Sequence, residues 1–266
     1  MKTVLNAILS VFLLLCISTN VFAGDTLSAI LKRGTLLVGM EAGYMPFEMR
    51  AKTGKIIGFD VDMAKAMAKA MGVKVKFINT NWDGIIPSLM TKKFDIIASG
   101  MTITQKRNLK INFANPYISV GQTVLLNKKL AKKITSYKQL NTSKHKIASK
   151  LGTTGEQAVK RMLPRAKYIS YETEQEGAIE VINGKVDAFV YDLPFNSIMA
   201  ADKGKGEIVH LDKPFTFEPL GWAVRKGDYD FINWLNNFLF QAKNDGTYDK
   251  IYAKWFESAE WQKEVK

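Results

Sequence analysis

Short apolar runs alternate with amphipathic stretches of helical length along most of the chain, and this alternation constrains the fold more than any other feature. The run Leu36-Leu37-Val38 predicts a buried strand. Residues 60–71 predict a helix with an apolar face formed by Val61, Ala64, Ala68 and Met71. Gly72 marks the end of that helix. Strands that alternate with helices at these lengths predict an α/β fold with a largely parallel sheet.

A second series of the same kind begins near residue 145. Strands are predicted at 145–149, 168–169, 186–191 and 208–211, and helices are predicted to follow Gly152, Thr173 and Pro194. The segments 93–98 and 185–190 share a pattern, which favours two similar lobes. Because no stretch has the composition of a disordered linker, we expect strands to cross between the lobes. A strand at 220–224 and helices at 229–243 and 247–257 complete the predicted elements.

Residues 94–107 contain the first candidate for a binding site. Ile96-Ile97-Ala98 predicts a buried strand that follows a helix at about 83–92, and Thr104 is a candidate N-cap for a short helix that contains Arg107. Open α/β sheets bind small ligands where a strand ends and a helix begins, and the free N–H groups there attract an anion. The planar guanidinium of Arg107 suits two carboxylate oxygens. The spacing alone leaves open an ordinary solvated arginine.

The first 23 residues have the pattern of a cleaved secretory signal peptide. Lys2 supplies a positive charge, residues 4–17 are mostly apolar, and Val21-Phe22-Ala23 precedes a cleavage point before Gly24. A membrane anchor is the alternative, but the apolar stretch is shorter than the roughly 20 residues of a spanning helix. We therefore predict a secreted protein.

The cysteine and histidine content argues against a metal or disulfide framework. Cys16 is the single cysteine and lies within the predicted signal, so the mature chain would have none. A lipoprotein acylated at Cys16 is an alternative, which Leu15 disfavours because a small residue usually occupies that place. His145 and His210 are far apart in the sequence and lack the spacing of zinc ligands. No cofactor is predicted.

The chain is strongly basic, with a formal net charge of +13. Such a balance is compatible with binding to nucleic acid or to an anionic membrane surface. The lysines are scattered rather than gathered into a long block, and a secreted destination argues against nucleic acid. We therefore expect most of them to form a solvated surface.

Several motifs together resemble those of a known family. Gly58-Phe59-Asp60-Val61-Asp62-Met63 resembles the signature of the bacterial family 3 extracellular solute-binding proteins, the periplasmic amino-acid receptors of ATP-driven importers. The likeness continues in Tyr-x-Pro-Phe at 44–47, Gly-Met-Thr-Ile-Thr-x-x-Arg at 100–107, Gly-Thr-Thr at 152–154 and Asp-Gly-Thr-Tyr-Asp-Lys at 245–250. The chain is similar to the histidine, lysine-arginine-ornithine and glutamine binding proteins of this family.

The resemblance implies a type II periplasmic binding protein, in which two hinge strands join two α/β lobes. Lobe 1 is expected to comprise residues 24–120 and 219–266, and lobe 2 residues 121–218. The ligand would lie in the cleft between the lobes, which close around it by a hinge motion. The expected partners are a free amino acid and an ABC permease of the inner membrane, with the protein itself a periplasmic monomer.

The resemblance also implies a set of ligand-binding residues: Glu41, Tyr44, Trp82, Gly100, Met101, Thr102, Arg107, Thr153, Thr154 and Asp192. Arg107 would bind the α-carboxylate together with backbone N–H groups, and Asp192 matches the family position that neutralises the α-ammonium. Pairing both charges offsets the cost of removing them from water. Alternatives remain, since Thr102, Thr154 and Asp192 are also plausible helix caps and Gly100 can serve a turn.

Glu41 gives the main indication of which side chain the ligand carries. It stands where relatives that bind basic amino acids carry an acid, and Tyr44 and Trp82 match positions that flank the ligand. Two rings can cover an aliphatic stem and attract a terminal cation. We expect a cationic ligand, lysine ahead of arginine, with histidine or glutamine next. Gly155 weakens the choice between lysine and arginine, because many relatives carry a polar residue there.

Two other functions fit the same fold. Cyclohexadienyl dehydratases resemble this chain and need a general acid in the closed cleft, for which Glu41, Asp192 or Glu218 are candidates. Sensory receptor domains also share the fold, but they usually belong to longer chains with a membrane span and a signalling module. The complete amino-acid clamp favours a binding protein over an enzyme.

Overall fold

The computed structural model describes residues 26–265, so the predicted signal peptide and Cys16 lie outside the described residues. The chain folds into two α/β lobes, each around a five-stranded sheet, and two smaller two-stranded sheets complete the β-structure. Within residues 26–265, no helix has the length and apolar character needed to cross a membrane.

Lobe 1 is built on a sheet with the strand order β4-β1-β5-β14-β6, in which β14 (Ala223–Arg225) comes from the later part of the chain. Its first elements are α1 (Thr26–Arg33), β1 (Thr35–Met40), β2 (Met49–Arg50), β3 (Ile56–Ile57), α2 (Phe59–Met71), β4 (Lys74–Asn79), α3 (Trp82–Met90), β5 (Ile96–Ile97), α4 (Gln105–Asn108) and β6 (Ile111–Phe113). Strand β1 runs parallel to β4 and β5. Helix α2 ends where predicted, with Gly72 in the left-handed conformation.

Lobe 2 is built on a sheet with the strand order β10-β9-β11-β8-β12. Its elements are β8 (Gln122–Asn127), β9 (Lys146–Lys150), α5 (Thr154–Met162), β10 (Lys167–Tyr171), α6 (Glu174–Ile182), β11 (Ala188–Asp192), α7 (Leu193–Ala201) and β12 (Ile208–Leu211), with 3₁₀ turns at Lys128–Leu130 and Tyr137–Leu140. All five residues of β11 are buried, as expected for a central strand with helices on both faces.

The chain passes twice between the lobes, through β7 (Ile118–Val120) and β13 (Glu218–Leu220). These two strands pair antiparallel, with Leu220 opposite Ile118 and Glu218 opposite Val120. After β13 the chain returns to lobe 1 as β14 (Ala223–Arg225), α8 (Tyr229–Asn244), α9 (Thr247–Tyr252), a π-helical turn at Ala253–Glu257 and α10 (Gln262–Val265).

Two predicted elements and the predicted type of sheet differ from the structure. The strand expected at 220–224 is divided into β13 and β14, because Trp222 between them is fully buried and stacks on Tyr117 with ring centroids 5.0 Å apart. The last predicted helix ends at Tyr252 and continues as the π-helical turn. Both sheets are mixed rather than largely parallel, since β14 and β8 run antiparallel to their neighbours. The residue limits proposed for the lobes stay a prediction.

Candidate functional site

A small cavity of about 20 Å³ lies between the lobes, at the ends of the central strands. It is lined by Glu41, Tyr44, Glu48, Trp82, Ser99, Gly100, Thr102, Arg107, Lys150, Thr153, Thr154, Tyr191 and Asp192. Nine of the ten residues predicted from the sequence are in this set. Met101 is the exception, because its side chain packs in the lobe 1 core against residues such as Ile85 and Leu89.

Arg107 lies at the cavity in the first turn of the short helix that was predicted to begin after Thr104. The Thr104 hydroxyl accepts a hydrogen bond from the backbone N–H of Arg107 at 3.1 Å, which caps the four-residue helix α4. The guanidinium donates to the Thr102 carbonyl at 2.8 Å and to the Gly152 carbonyl at 3.5 Å, so it contacts both lobes. Burial lowers the pKa of Arg107 to about 10, which leaves it charged at neutral pH.

Asp192 faces the same cavity from the end of β11 in lobe 2. It occupies the N-cap position of α7, but its side chain makes no capping hydrogen bond. Its carboxylate instead accepts hydrogen bonds from the Tyr44 hydroxyl of lobe 1 and from the side-chain amide of Gln122. Burial raises the pKa of Asp192 to about 7, against the opposing effects of the Tyr44 hydrogen bond and of Arg107.

The threonines divide into capping residues and residues of the cleft. Thr104 and Thr153 cap α4 and α5 with their side chains. Thr102 and Thr154 make no such caps, and their hydroxyl oxygens lie 3.4 Å apart across the cleft. Thr102 and Thr154 are therefore not helix caps, and that alternative is wrong for both residues.

Trp82 and Glu41 lie on the lobe 1 side of the cavity. Trp82 begins α3, and its indole N–H donates to the Gly152 carbonyl of lobe 2 at 3.1 Å. Its ring lies under the Arg107 guanidinium, which is 5.2 Å from the ring centroid, so Trp82 faces the cleft. It also packs against the lobe 1 core. Glu41 accepts a hydrogen bond from the backbone N–H of Trp82 at 3.2 Å and forms an ion pair with Lys150.

Lys150 is the most informative residue that sequence reasoning missed. Its side chain is 3% exposed and forms ion pairs with Glu41 of lobe 1 and, at 2.7 Å, with Glu174 of lobe 2. Burial alone lowers the pKa of Lys150, but the two carboxylates outweigh it and the pKa lies above its ordinary value. Lys150 directly follows the strand predicted at 145–149, and this position at a strand end was the available signal, since a charged side chain buried there needs a partner.

Glu48, Ser99 and Tyr191 also line the cavity without having been predicted. Glu48 is fully buried and accepts a hydrogen bond from the Ser99 hydroxyl at 2.6 Å. Burial, assisted by the nearby Asp60 carboxyl, raises the pKa of Glu48 well above its ordinary value. Burial therefore favours the neutral form of the Glu48 carboxyl at the cavity.

Two glycines at the site are required by close packing. Gly100 has a φ of 53°, and a Cβ there would meet the Tyr44 ring. A Cβ on Gly155 would lie 2.7 Å from Ser149 Oγ and 2.9 Å from the Val190 carbonyl oxygen. Gly155 thus leaves no room for the polar side chain expected from relatives.

The arrangement places a guanidinium and a carboxyl group in one cavity, supplied by opposite lobes. Among residues 26–265, no cluster of three or more histidine, cysteine or acidic side chains is arranged to hold a metal ion. Charged groups of both signs, buried together with aromatic rings, can pair with a small molecule that carries both charges.

Residues 36–258 match the family described as bacterial extracellular solute-binding proteins, family 3. The ABC transporter arginine-binding protein 1 of Escherichia coli (strain K12) is 35% identical over 222 residues, covering 82% of this chain and 89% of that protein.

Two solved structures are more similar in sequence. One, from Wolinella succinogenes DSM 1740, is named as a binding component of an ABC transporter complexed with lysine; it is 55% identical, with a TM-score of 0.84, and covers 87% of this chain and 99% of its own. The other is the ancestral amino acid-binding protein AncCDT-1, a precursor of cyclohexadienyl dehydratase. It is 52% identical, with a TM-score of 0.82 and the same coverage. With its two-lobed α/β fold and a family match that spans most of its length, the chain belongs to the bacterial extracellular solute-binding proteins of family 3.

Proposed function

We propose that the protein binds a free polar L-amino acid, with basic amino acids and above all lysine favoured, in the cleft between its lobes. It delivers this ligand to an ABC importer. The single observation that carries the proposal is that Arg107 and Asp192 are both buried at one cavity and belong to different lobes. An α-carboxylate and an α-ammonium require this pair of charges.

The preference for a basic side chain rests on three observations. The Glu41 and Glu174 carboxylates lie on one side of the site, beside the Trp82 ring. Aromatic faces and carboxylates both favour a cation. The lysine complex of the 55% identical structure and the arginine-binding relative support the same ligand class.

Ligand entry requires the lobes to separate. A cavity of about 20 Å³ has room for roughly one water molecule. Contacts across the cleft also close it, since Tyr44 donates to Asp192 and Trp82 donates to the Gly152 carbonyl. We infer a hinge motion about β7 and β13, in which the ligand exchanges these contacts for its own.

The proposed location is the periplasm, which the protein reaches by means of the signal peptide predicted at residues 1–23. There the protein acts as a monomer, with residues 24–120 and 219–266 as lobe 1 and residues 121–218 as lobe 2. The permease in the inner membrane is the partner that receives the amino acid.

The test is a thermal-shift screen of the twenty amino acids, because a ligand that binds only the native state raises the melting temperature. Lysine and arginine are expected to give the largest shifts. In Arg107→Ala the affinity falls at least about 30-fold, since one partner of a buried charge pair is removed. Lys106→Ala is the matched control, because Lys106 is exposed on the same helix. An unchanged shift in Arg107→Ala contradicts the carboxylate role of Arg107.

A dehydratase is the second candidate function. AncCDT-1, at 52% identity, is described as a precursor of cyclohexadienyl dehydratase. Asp192, with a pKa of about 7, is a buried carboxyl that can carry the proton a general acid needs. Incubation with prephenate or arogenate distinguishes the two functions, because formation of an aromatic product overturns the binding-protein proposal.

A further inference from the structure

Lys150 has no counterpart in the amino-acid clamp described above, although it lies at the same cavity. Its ammonium contacts the Glu41 and Glu174 carboxylates and lies 5.8 Å from the centroid of the Trp82 ring. It therefore occupies the acidic side of the site, where the proposed function puts the ligand side chain. A buried lysine with two carboxylates is a costly arrangement unless the charges balance.

The charges on this side of the site can be counted. Through their ion pairs, Glu41 and Glu174 contribute two negative charges and Lys150 one positive charge. The neighbouring Glu48 carboxyl accepts from the Ser99 hydroxyl and lies outside this ion-paired group, and burial favours its neutral form. The sum is one net negative charge. A ligand side chain with one positive charge brings the sum to zero, whereas a neutral side chain leaves a buried negative charge uncompensated.

The Glu174 carboxylate also has an oxygen that can accept a further hydrogen bond. It is 1% exposed, and its Oε2 contacts Lys150. Its other oxygen, Oε1, is buried without a hydrogen-bond partner among the described residues, beside Gly43 of lobe 1. A carboxylate has about four lone-pair positions, so Glu174 can accept from a second cation while it keeps Lys150.

We propose that Lys150 is a specificity-determining residue, which holds the side-chain end of the site at one net negative charge and thereby sets how strongly a basic amino acid is preferred over a neutral one. The inference rests on the proposed function and adds a residue to it. We therefore expect the preference for a basic over a neutral amino acid to follow the summed charge of Glu41, Glu174 and Lys150, and not the presence of any one of these three residues.

Two variants change that net charge in opposite directions, and a third restores it. Lys150→Met makes it more negative by one unit, Glu174→Gln makes it less negative by one unit, and the double variant restores the original value. Isothermal titration measures the affinities for lysine and glutamine in each. Lys146→Met is the matched control, because Lys146 is exposed at the start of the same strand.

The preference for lysine over glutamine should rise at least about tenfold in Lys150→Met and fall at least about tenfold in Glu174→Gln, as expected for one unit charge at contact distance in a protein. In the double variant it should return to within about threefold of the wild-type value, and Lys146→Met should not change it. Where glutamine is too weak to measure, the lysine affinity alone must move in the same directions.

The outcomes separate the two proposals. A wild-type protein that binds no amino acid contradicts the proposed function, and the role of Lys150 is overturned with it. A wild-type protein that binds lysine with the same preference in Lys150→Met as in Lys146→Met contradicts the role of Lys150 alone. If Lys150→Met fails to fold, Glu174→Gln is compared with the double variant instead. A purely structural role of Lys150 predicts that the double variant does not regain the preference for lysine over glutamine that Glu174→Gln has lost.

Discussion

Arg107 and Asp192 are both buried, yet burial affects their charges to different degrees. Arg107 has a pKa of about 10 and keeps its charge at neutral pH. Asp192 has a pKa of about 7, so near neutral pH about half of the molecules carry a proton on this carboxyl. The side of the site proposed for the α-carboxylate is therefore fixed in charge, whereas the side proposed for the α-ammonium titrates.

This difference predicts that affinity for an amino acid depends on pH. An ammonium group next to Asp192 favours the ionised carboxylate, so binding below pH 7 must release the Asp192 proton. We expect affinity to fall by up to about tenfold per pH unit as the pH decreases from 7 to 5.5, and to change little between pH 7.5 and 8.5. Titration calorimetry in buffers of different ionisation enthalpy measures both the affinity and the released proton.

Asp192→Asn is the control for this prediction. It removes the titrating group but keeps an acceptor for the Tyr44 hydroxyl. Its affinity should be lower at pH 8 and nearly independent of pH. If the wild-type affinity is as high at pH 5.5 as at pH 8, Asp192 does not pair with the ammonium.

At the scale of elements, the start of α5 is packed more tightly than that of α3. Gly155 and Gly84 each lie in the first turn of their helix. A Cβ at Gly155 would meet Ser149 Oγ, Gln122 Oε1 and the Val190 carbonyl within 3 Å, whereas a Cβ at Gly84 would meet nothing within 4 Å. Close packing of the start of α5 on β9 and β11 fixes the position of Thr154 at the cleft.

Substitution by alanine should therefore act in opposite directions at the two positions. Gly155→Ala is expected to lower the free energy of unfolding by about 1–3 kcal/mol, because overpacking outweighs the better helix propensity of alanine. Gly84→Ala should raise it by up to about 1 kcal/mol. Urea denaturation of both variants tests this, and a Gly155→Ala protein as stable as wild type would show that α5 can shift away from its sheet.

The elements that the sequence predicted are those set by local interactions. The cap of Thr104 on the Arg107 backbone spans three residues, and the apolar runs of β5 and β11 identify buried strands on their own. The Lys150 cluster could not be predicted this way, because Lys150 and Glu41 are 109 residues apart and meet only when the lobes come together. The division between β13 and β14 likewise depends on a contact between residues distant in the sequence, the stacking of Trp222 on Tyr117.

For the whole molecule, each lobe contains a buried acid with a raised pKa. Asp60 in lobe 1 accepts hydrogen bonds from the Gly100 N–H and the Tyr117 hydroxyl, and burial raises its pKa to about 6. Asp192 in lobe 2 has a pKa of about 7. Both carboxyls bind a proton more tightly in the folded chain than in the unfolded chain, where their pKa is near 3.9.

The ligand-free protein should accordingly lose stability as the pH rises from 5 to 7.5. Over this window the folded state holds more protons than the unfolded state, so the free energy of unfolding decreases with pH, by on the order of 3 kcal/mol. Burial lowers the pKa of His210, which gives a slope of opposite sign and reduces the effect. Urea denaturation at the two pH values measures the difference.

The double variant Asp60→Asn, Asp192→Asn serves as the control for the pH effect on stability. It should have a flatter dependence over the same window, because both raised carboxyls are gone. A wild-type protein that is equally stable or more stable at pH 7.5 would mean that these acids are ionised in the folded state without cost.

The strand order of the two sheets also determines when each lobe can be completed during synthesis. Strands β8 to β12 come from one uninterrupted stretch of the chain, so lobe 2 has all its strands once Leu211 has left the ribosome. Lobe 1 begins first but lacks β14, which lies between β5 and β6 in its sheet. A nascent polypeptide therefore carries an unfinished lobe 1 sheet until β14, Ala223–Arg225, has been synthesised.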